Sequence, residues 1–372
     1  MRILMPSIVD PTVSRIGAAT VTRSLLHVLE SPELSATVEC AAIRPPSAGL
    51  NHALRQGTAV ARSLVTPLPA KVAFTYSRSF RDRVVRLLRE DHFDLVILNG
   101  SDLLWLDQVI PSAVPRILVA HNIEHLVFAE QAALAGDSYR IPGPGLRREC
   151  RRMESFETSG IRSVGNVIFL SSFDAAHPRA GGLASRCVVV PPLFVDRPVG
   201  RKRVRHESGV LQVGFMGNMV WWPNRLGLSW FLKRVFPHLG DAVHLHLYGA
   251  GMQAGVTRDT RISPHGPVDD LTEVWTSCDI MICPARAGGG VSIKLAEAVY
   301  HGMPVLATTL ATRGLPLADD PCLAIRDTPE EWISYLTSPQ AGTVGRISQS
   351  LSSRFAVDAH RESVQNFVRE TV

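Results

Sequence analysis

Asp279-Ile280-Met281-Ile282-Cys283-Pro284 is an apolar run, and Gly288-Gly289-Gly290-Val291-Ser292-Ile293-Lys294-Leu295-Ala296-Glu297-Ala298 follows it. A continuous apolar stretch of that length predicts a strand buried on both faces. Three glycines between a strand and a helix let backbone approach a ligand with no Cβ in the way. The helix that opens after them directs unpaired N–H groups and the positive end of its dipole toward the turn. Lys294 adds a full charge within the first turn, and Glu297 lies at i+3 on the same face. A nucleoside diphosphate with its ribose would satisfy all of these groups. The plainer alternative is a glycine-rich strand-to-helix turn with a solvated Lys and Glu.

Further short motifs flank this segment. Val213-Gly214-Phe215-Met216-Gly217-Asn218-Met219 and Trp221-Trp222-Pro223-Asn224-Arg225 come first. Leu245-His246-Leu247-Tyr248-Gly249-Ala250-Gly251 and His265-Gly266-Pro267-Val268 follow, and Tyr300-His301-Gly302-Met303-Pro304-Val305-Leu306-Ala307-Thr308 comes after Glu297. In this order and spacing the chain resembles the nucleotide-sugar domain of GT-B glycosyltransferases, in particular the retaining family 4 (glycosyltransferase group 1). The resemblance extends more weakly over the N-terminal half. It implies an α/β architecture of two Rossmann-like, doubly wound domains facing each other across a cleft.

The 372 residues suggest about two domains on the usual length prior. A composition of 45% hydrophobic and 20% charged residues is that of a globular protein. Met1-Arg2-Ile3-Leu4-Met5 runs into Pro6 and Asp10, so no signal peptide is expected, and no apolar run reaches the roughly 18 residues that span a membrane. The six cysteines show no CxxC spacing and are expected to be reduced in a cytoplasmic setting. The net charge of +5 is unevenly placed: Arg55, Arg62, Lys71, Arg78, Arg81, Arg83, Arg86 and Arg89 fall in one stretch with Asp82 as its only acid. Phe80, Val84, Leu87 and Leu88 recur there at helical spacing, which predicts a basic amphipathic helix. Such a helix can dock on an anionic lipid surface or a lipid-diphosphate acceptor, or can be a solvated face. Aromatic residues make up 6% and no recognition motif appears, which argues against nucleic acid.

Strands are predicted at Arg2–Ser7, 94–98, 116–120, 166–170 and 187–190, with a helix from Gly17 to Leu29. In the second half, strands are predicted near 211–216, 243–248, 280–283, 304–308 and 322–325, with another ending at His265-Gly266. Alternating strands and helices predict parallel sheets with ligands beyond the carboxyl ends of the strands. Residues 1–195 are read as an acceptor-binding domain and 196–352 as a nucleotide-sugar domain. Pro191-Pro192 and the basic stretch Arg197–Arg205 are read as the linker. The amphipathic segment Phe355 to Val368, within 353–372, resembles the C-terminal helix that returns to the first domain in GT-B proteins.

The resemblance assigns roles residue by residue. Lys294 and, second, Arg225 would neutralise the departing diphosphate, whose charge grows in the transition state. Asn218 stands where many members carry a base, in the loop after Gly217, so the amides of Gly289, Gly290 and Val291 gain weight. Glu297 matches the second acid of the family's E-x7-E signature and would hold the ribose hydroxyls, while the first acid is replaced by Gly289. His265 and Val268 lie at the position of the family's base pocket, and Gly17 where a glycine approaches the donor phosphate. His121, in His121-Asn122-Ile123-Glu124-His125, matches an active-site histidine beside the transferring sugar. The implied activity is retaining, metal-independent hexosyl transfer from a nucleotide sugar to a glycan or lipid-linked hydroxyl, with no cofactor. The setting is bacterial polysaccharide or glycolipid assembly, in the cytoplasm or peripheral on the inner membrane. Replacement of the first acid leaves a GT-B sugar-nucleotide epimerase or an inactive nucleotide-binding protein as alternatives. The same pentapeptide also spells H-x-x-E-H, a zinc-peptidase motif that requires both histidines on one regular helix.

Overall fold

The computed structural model describes all residues except 14–16, 44–49, 135–142, 179, 197, 200–208, 253–257 and 344. The chain divides into unit 1, Met1–Leu193 with His360–Val372, and unit 2, Phe194–Ala359. Each is built on a parallel sheet that has six strands among the described residues.

Unit 1 contains β1 (Arg2–Ser7), β2 (Thr37–Ala42), β3 (Leu95–Asn99), β4 (Arg116–Ala120), β5 (Asn166–Phe169) and β6 (Arg186–Val189), in the order β2-β1-β3-β4-β5-β6. β3 is buried along its whole length: its apolar run Leu95 to Leu98 requires this, and the polar Asn99 that closes it is buried as well. The edge strand β2 was not among the expected strands: Glu39 and Cys40 interrupt its apolar run and only Ala41 is fully buried. Pairing with β1, in register from Arg2–Thr37 to Ser7–Ala42, makes it a strand. The helix Gly17–Leu29 follows β1 with the expected bounds.

Unit 2 contains β7 (Leu211–Met216), β8 (Val243–Tyr248), β9 (Ile262–Gly266), β10 (Ile280–Cys283), β11 (Val305–Ala307) and β12 (Leu323–Ile325), in the order β12-β11-β10-β7-β8-β9. Read outward from β7, this is the doubly wound order of dinucleotide-binding folds. The direction of winding reverses between β7 and β10 in unit 2 and between β1 and β3 in unit 1. Chain leaving the carboxyl ends of such a strand pair diverges and opens a crevice, where ligands of these sheets bind.

The segment Phe355 to Val368 is not one continuous helix. Ser353–Phe355 and Val357–Ala359 are short 3-10 turns that stay with unit 2, where Phe355 is fully buried and its carbonyl accepts from the Phe194 amide. The helix proper, Arg361–Arg369, packs in unit 1, where the buried Gln365 amide donates to Ser31 Oγ at 2.7 Å. Most of the linker stretch Arg197–Arg205 lies outside the described residues. The helix Arg78–Glu90 buries Phe80 and Val84 and exposes Arg78, Arg83, Arg86 and Arg89. No helix among the described residues is long and apolar enough to cross a membrane.

Candidate donor and sugar sites

In unit 2 the glycine turn joins β10 to the helix Ile293–Tyr300. Gly288 (φ +129°) and Gly290 (φ +67°) adopt backbone conformations that side chains resist. The Ser292 side chain does not cap the helix, so its first turn faces the crevice without that acceptor. Lys294 reaches back from this turn toward the end of β7. Its Nζ donates to Asn224 Oδ1 at 2.6 Å and sits 5.0 Å from the Phe215 ring centre. Burial lowers its pKa, and no carboxylate of the described residues pairs with it. The result is a desolvated cation held by a neutral amide and an aromatic face.

Asn224 was missed in the sequence. It lies in the helix Trp222–Arg234, and its Nδ2 donates to the Asn218 carbonyl at 2.9 Å, which turns Oδ1 toward Lys294. Asn218 itself closes a local turn through Oδ1, which accepts from the Val220 amide at 2.8 Å. A Cβ on Gly217 would meet Asn224 Nδ2 at 3.0 Å, and one on Gly249 would lie 2.1 Å from the Gly217 carbonyl. Gly217, Asn218, Asn224 and Lys294 therefore form one connected group at the reversal between β7 and β10. Arg225 is turned the other way: its Nη1 donates to the carbonyls of Met219 (2.7 Å) and Val220 (2.8 Å) and so braces its own loop. Arg313, also missed, donates from Nη2 to the Gly288 carbonyl at 2.5 Å and fixes the glycine turn from the far side.

Gly289 and Val291 lie within the turn, and Glu297 is partly buried one helical step beyond Lys294. His265, near the end of β9, stacks on Tyr248 with ring centres 4.5 Å apart. Its Nε2 lies 2.9 Å from His246 Nδ1, and His246 Nε2 meets Gln212 Oε1 at 2.8 Å. Val268 packs against the core of unit 2.

In unit 1 the reversal point gathers side chains distant in sequence. Ser7 ends β1 and Asn99 ends β3, where they are register partners. His121 follows β4, and its Nε2 lies 2.7 Å from Asn99 Oδ1. Burial depresses the ring's pKa to about 4, so the ring is neutral at physiological pH. Gly17 opens the adjacent helix and is partly buried. Beside the histidine lies a compact ion cluster: Lys71 Nζ is 2.6 Å from Glu124 Oε1 and 3.3 Å from Asp102 Oδ1. Burial drives the Asp102 carboxyl up to about 6 against the pull of Lys71. Glu124 meets the same desolvation, but Lys71, the Asn122 side-chain amide and the nearby His121 together hold its pKa below the ordinary value.

The zinc-peptidase reading fails on this geometry. The helix begins at Glu124, so His121 lies outside it. Glu124 is paired with Lys71, and His125 Nδ1 is held 2.8 Å from Glu157. The buried Glu157 carboxylate also accepts the backbone amides of Glu124 and His125, at 3.0 and 3.2 Å, and so caps the helix. Among the described residues, no group of three or more His, Cys, Asp or Glu side chains is placed to hold a metal ion.

Residues 211–337, roughly a third of the chain, match the family model described as Glycosyl transferases group 1. No curated protein matches this sequence. Among solved structures, sucrose-phosphate synthase from Thermosynechococcus elongatus superposes with a TM-score of 0.69 at 12% identity, over 99% of this chain and 98% of that one. Anabaena HepE in complex with UDP and glucose gives 0.62 at 16% identity, over 99% of both chains. The lipopolysaccharide outer core galactosyltransferase WaaB gives 0.60 at 11% identity, over 100% of both. The chain has the GT-B fold of two Rossmann-like domains, and the segment that carries its glycine turn, Lys294 and Glu297 is the one that matches the group 1 glycosyl transferases.

Proposed function

We propose that the protein transfers a sugar from a nucleoside-diphosphate sugar to an acceptor hydroxyl, with retention of configuration and without a metal ion. The observation that carries this reading is Lys294: a desolvated cation, facing no carboxylate, beside a glycine turn and an open helix N-terminus. Such a site is stabilised by an anion, and a diphosphate supplies one. The amides of Gly289, Gly290 and Val291 would share the diphosphate with Lys294, Glu297 would take ribose hydroxyls, and His265 and Val268 would border the base. His121 and Gly17 would serve the sugar. HepE was solved with UDP and with UDP-glucose, which makes uridine the first base to try.

The acceptor in this reading is a glycan or lipid-linked hydroxyl at the cytoplasmic membrane surface, as in polysaccharide or glycolipid assembly. Arg78, Arg83, Arg86 and Arg89 are exposed on one helix of unit 1, and the earlier helix Leu50–Val65 of the same unit exposes Val60, Leu64 and Val65. Exposed apolar and cationic side chains together suit an anionic lipid surface. Gly289 in place of the first acid supports a second reading, a sugar-nucleotide epimerase; analysis of products separates epimerised donor from transferred sugar.

The test is thermal stability against a panel of nucleoside diphosphates and their sugars, with and without EDTA. A ligand at about 100 times its Kd adds about 2.7 kcal/mol to the native state. An upward shift with one base, insensitive to EDTA, supports the reading. No shift with any nucleotide overturns it.

A further inference from the structure

The buried chain Ser7–Thr22–Asn99–His121 fixes the chemical form of the histidine. Ser7, Thr22 and Asn99 are fully buried, so each of their polar atoms needs a partner. The Ser7 hydroxyl donates to the Val9 carbonyl at 2.8 Å, and the Thr22 hydroxyl donates to the Ala18 carbonyl at 2.8 Å. With their protons committed, both hydroxyl oxygens can only accept. Both face the Asn99 amide, at 3.2 Å for Ser7 and 2.7 Å for Thr22, so the group they meet is Nδ2 with its two hydrogens. Reversing the amide would set its carbonyl oxygen against two oxygens and force both hydroxyls to abandon backbone carbonyls. Asn99 therefore turns Oδ1 toward His121, and the ring nitrogen 2.7 Å away must carry a hydrogen.

We infer that Asn99 is a positioning residue that locks His121 as its neutral Nε2–H tautomer, so that Nδ1 presents a lone pair to accept a hydrogen bond from a carbohydrate hydroxyl. No donor among the described residues reaches Nδ1. Burial opposes the imidazolium most strongly, and of the charged groups around the ring Glu124 favours it and Lys71 opposes it. In this state His121 takes a proton-side contact from its ligand and donates none. The carbohydrate half of this inference rests on the proposed function; the tautomer does not.

The experiment is two-bond ¹H–¹⁵N correlation spectroscopy of the full chain labelled at histidine, with His121 identified by the signal lost in His121→Gln. The expected pattern is neutral with Nε2 protonated from pH 5 to 8; a protonated Nδ1 in the wild type overturns the inference. In Asn99→Asp the acceptor is kept and a negative charge is added, which favours the imidazolium. The ring should then titrate at a pH at least one unit higher than in the wild type, with the same tautomer above it. An unshifted titration overturns the role of Asn99. If Asn99→Leu folds, it should populate both neutral tautomers. Saturation with UDP-glucose should shift Nδ1, and UDP alone should not. A bound UDP-glucose that leaves Nδ1 unmoved overturns the hydroxyl contact, whereas failure of UDP to bind overturns the donor reading and leaves the tautomer standing on the ligand-free spectra.

Discussion

The two sheets reverse their winding at equivalent places, yet the lysines found there live under opposite electrostatics. Beside the β1–β3 reversal Lys71 sits between Asp102 and Glu124, which are largely buried, so the cation there meets its counter-charge within the fold. At the β7–β10 reversal Lys294 has an amide, an aromatic ring and no acid. The first arrangement is closed and holds its own structure together. The second is incomplete as folded, because a cation out of water needs a counter-charge. A fold that is the same in outline thus surrounds the lysine of one unit with carboxylates and leaves that of the other facing an amide and a ring, where the proposed function puts an anion.

Removing each lysine is the sharpest way to break this contrast. Lys71→Met leaves two carboxylates desolvated without a cation. About 3 kcal/mol of stability should be lost, at the low end of the range for broken buried pairs because 32% of the Lys71 side chain is exposed. Lys294→Met should leave the ligand-free protein as stable as before, or slightly more so, since it removes an uncompensated charge. Its cost should appear instead in nucleotide affinity, by about ten- to a hundredfold, the worth of a charged hydrogen bond. Urea unfolding and calorimetric titration with UDP measure the two. Equal losses of stability would show that the second lysine is structural and end the comparison.

The closed cluster carries a pH signature of its own. Asp102 has an ordinary pKa of 3.8 and about 6 in the folded protein, so the folded state binds its proton more tightly than the unfolded chain does. Its contribution to stability is therefore full below 3.8 and is lost as pH rises toward 6. Urea midpoints at about pH 4.5 and 6.5 should show this decline in the wild type and a flatter profile in Asp102→Asn. A steeper decline in the variant would mean that Asp102 ionises readily and mainly serves Lys71.

What the sequence discloses follows the range of the interactions involved. β10 is wholly apolar and β3 and β4 are apolar except at one end, Asn99 and Arg116, and burial on both faces of a parallel sheet writes itself into such consecutive residues. The glycine turn is equally local: three glycines, a helix start and a lysine fall within seven positions. β2 is harder to read because an edge strand needs apolar residues on one face only. The polar contacts are harder still. Asn224 and Lys294 are 70 residues apart, and Asn99 meets Thr22 across 77. No periodicity links such pairs; only the topology that brings strand ends together does. The family pattern suggested positions for Lys294 and His121 but said nothing of the asparagines that orient them.

Arg225 offers the finest test of the same contrast. The family resemblance makes it a second candidate for the phosphates, yet its guanidinium spans the carbonyls of Met219 and Val220 in the loop that carries Asn218. If that bracing is its work, Arg225→Ala should cost about 0.5–1 kcal/mol of stability, as expected for exposed hydrogen bonds to carbonyls. UDP affinity should then change by no more than about twofold, since about 0.4 kcal/mol is all that a slightly looser loop would remove. A tenfold loss of affinity with unchanged stability would mean that the guanidinium leaves its carbonyls when the anion arrives. The seat in unit 2 would then hold two cations rather than one, and the closed and open reversal points would differ by conformational change as well as by charge.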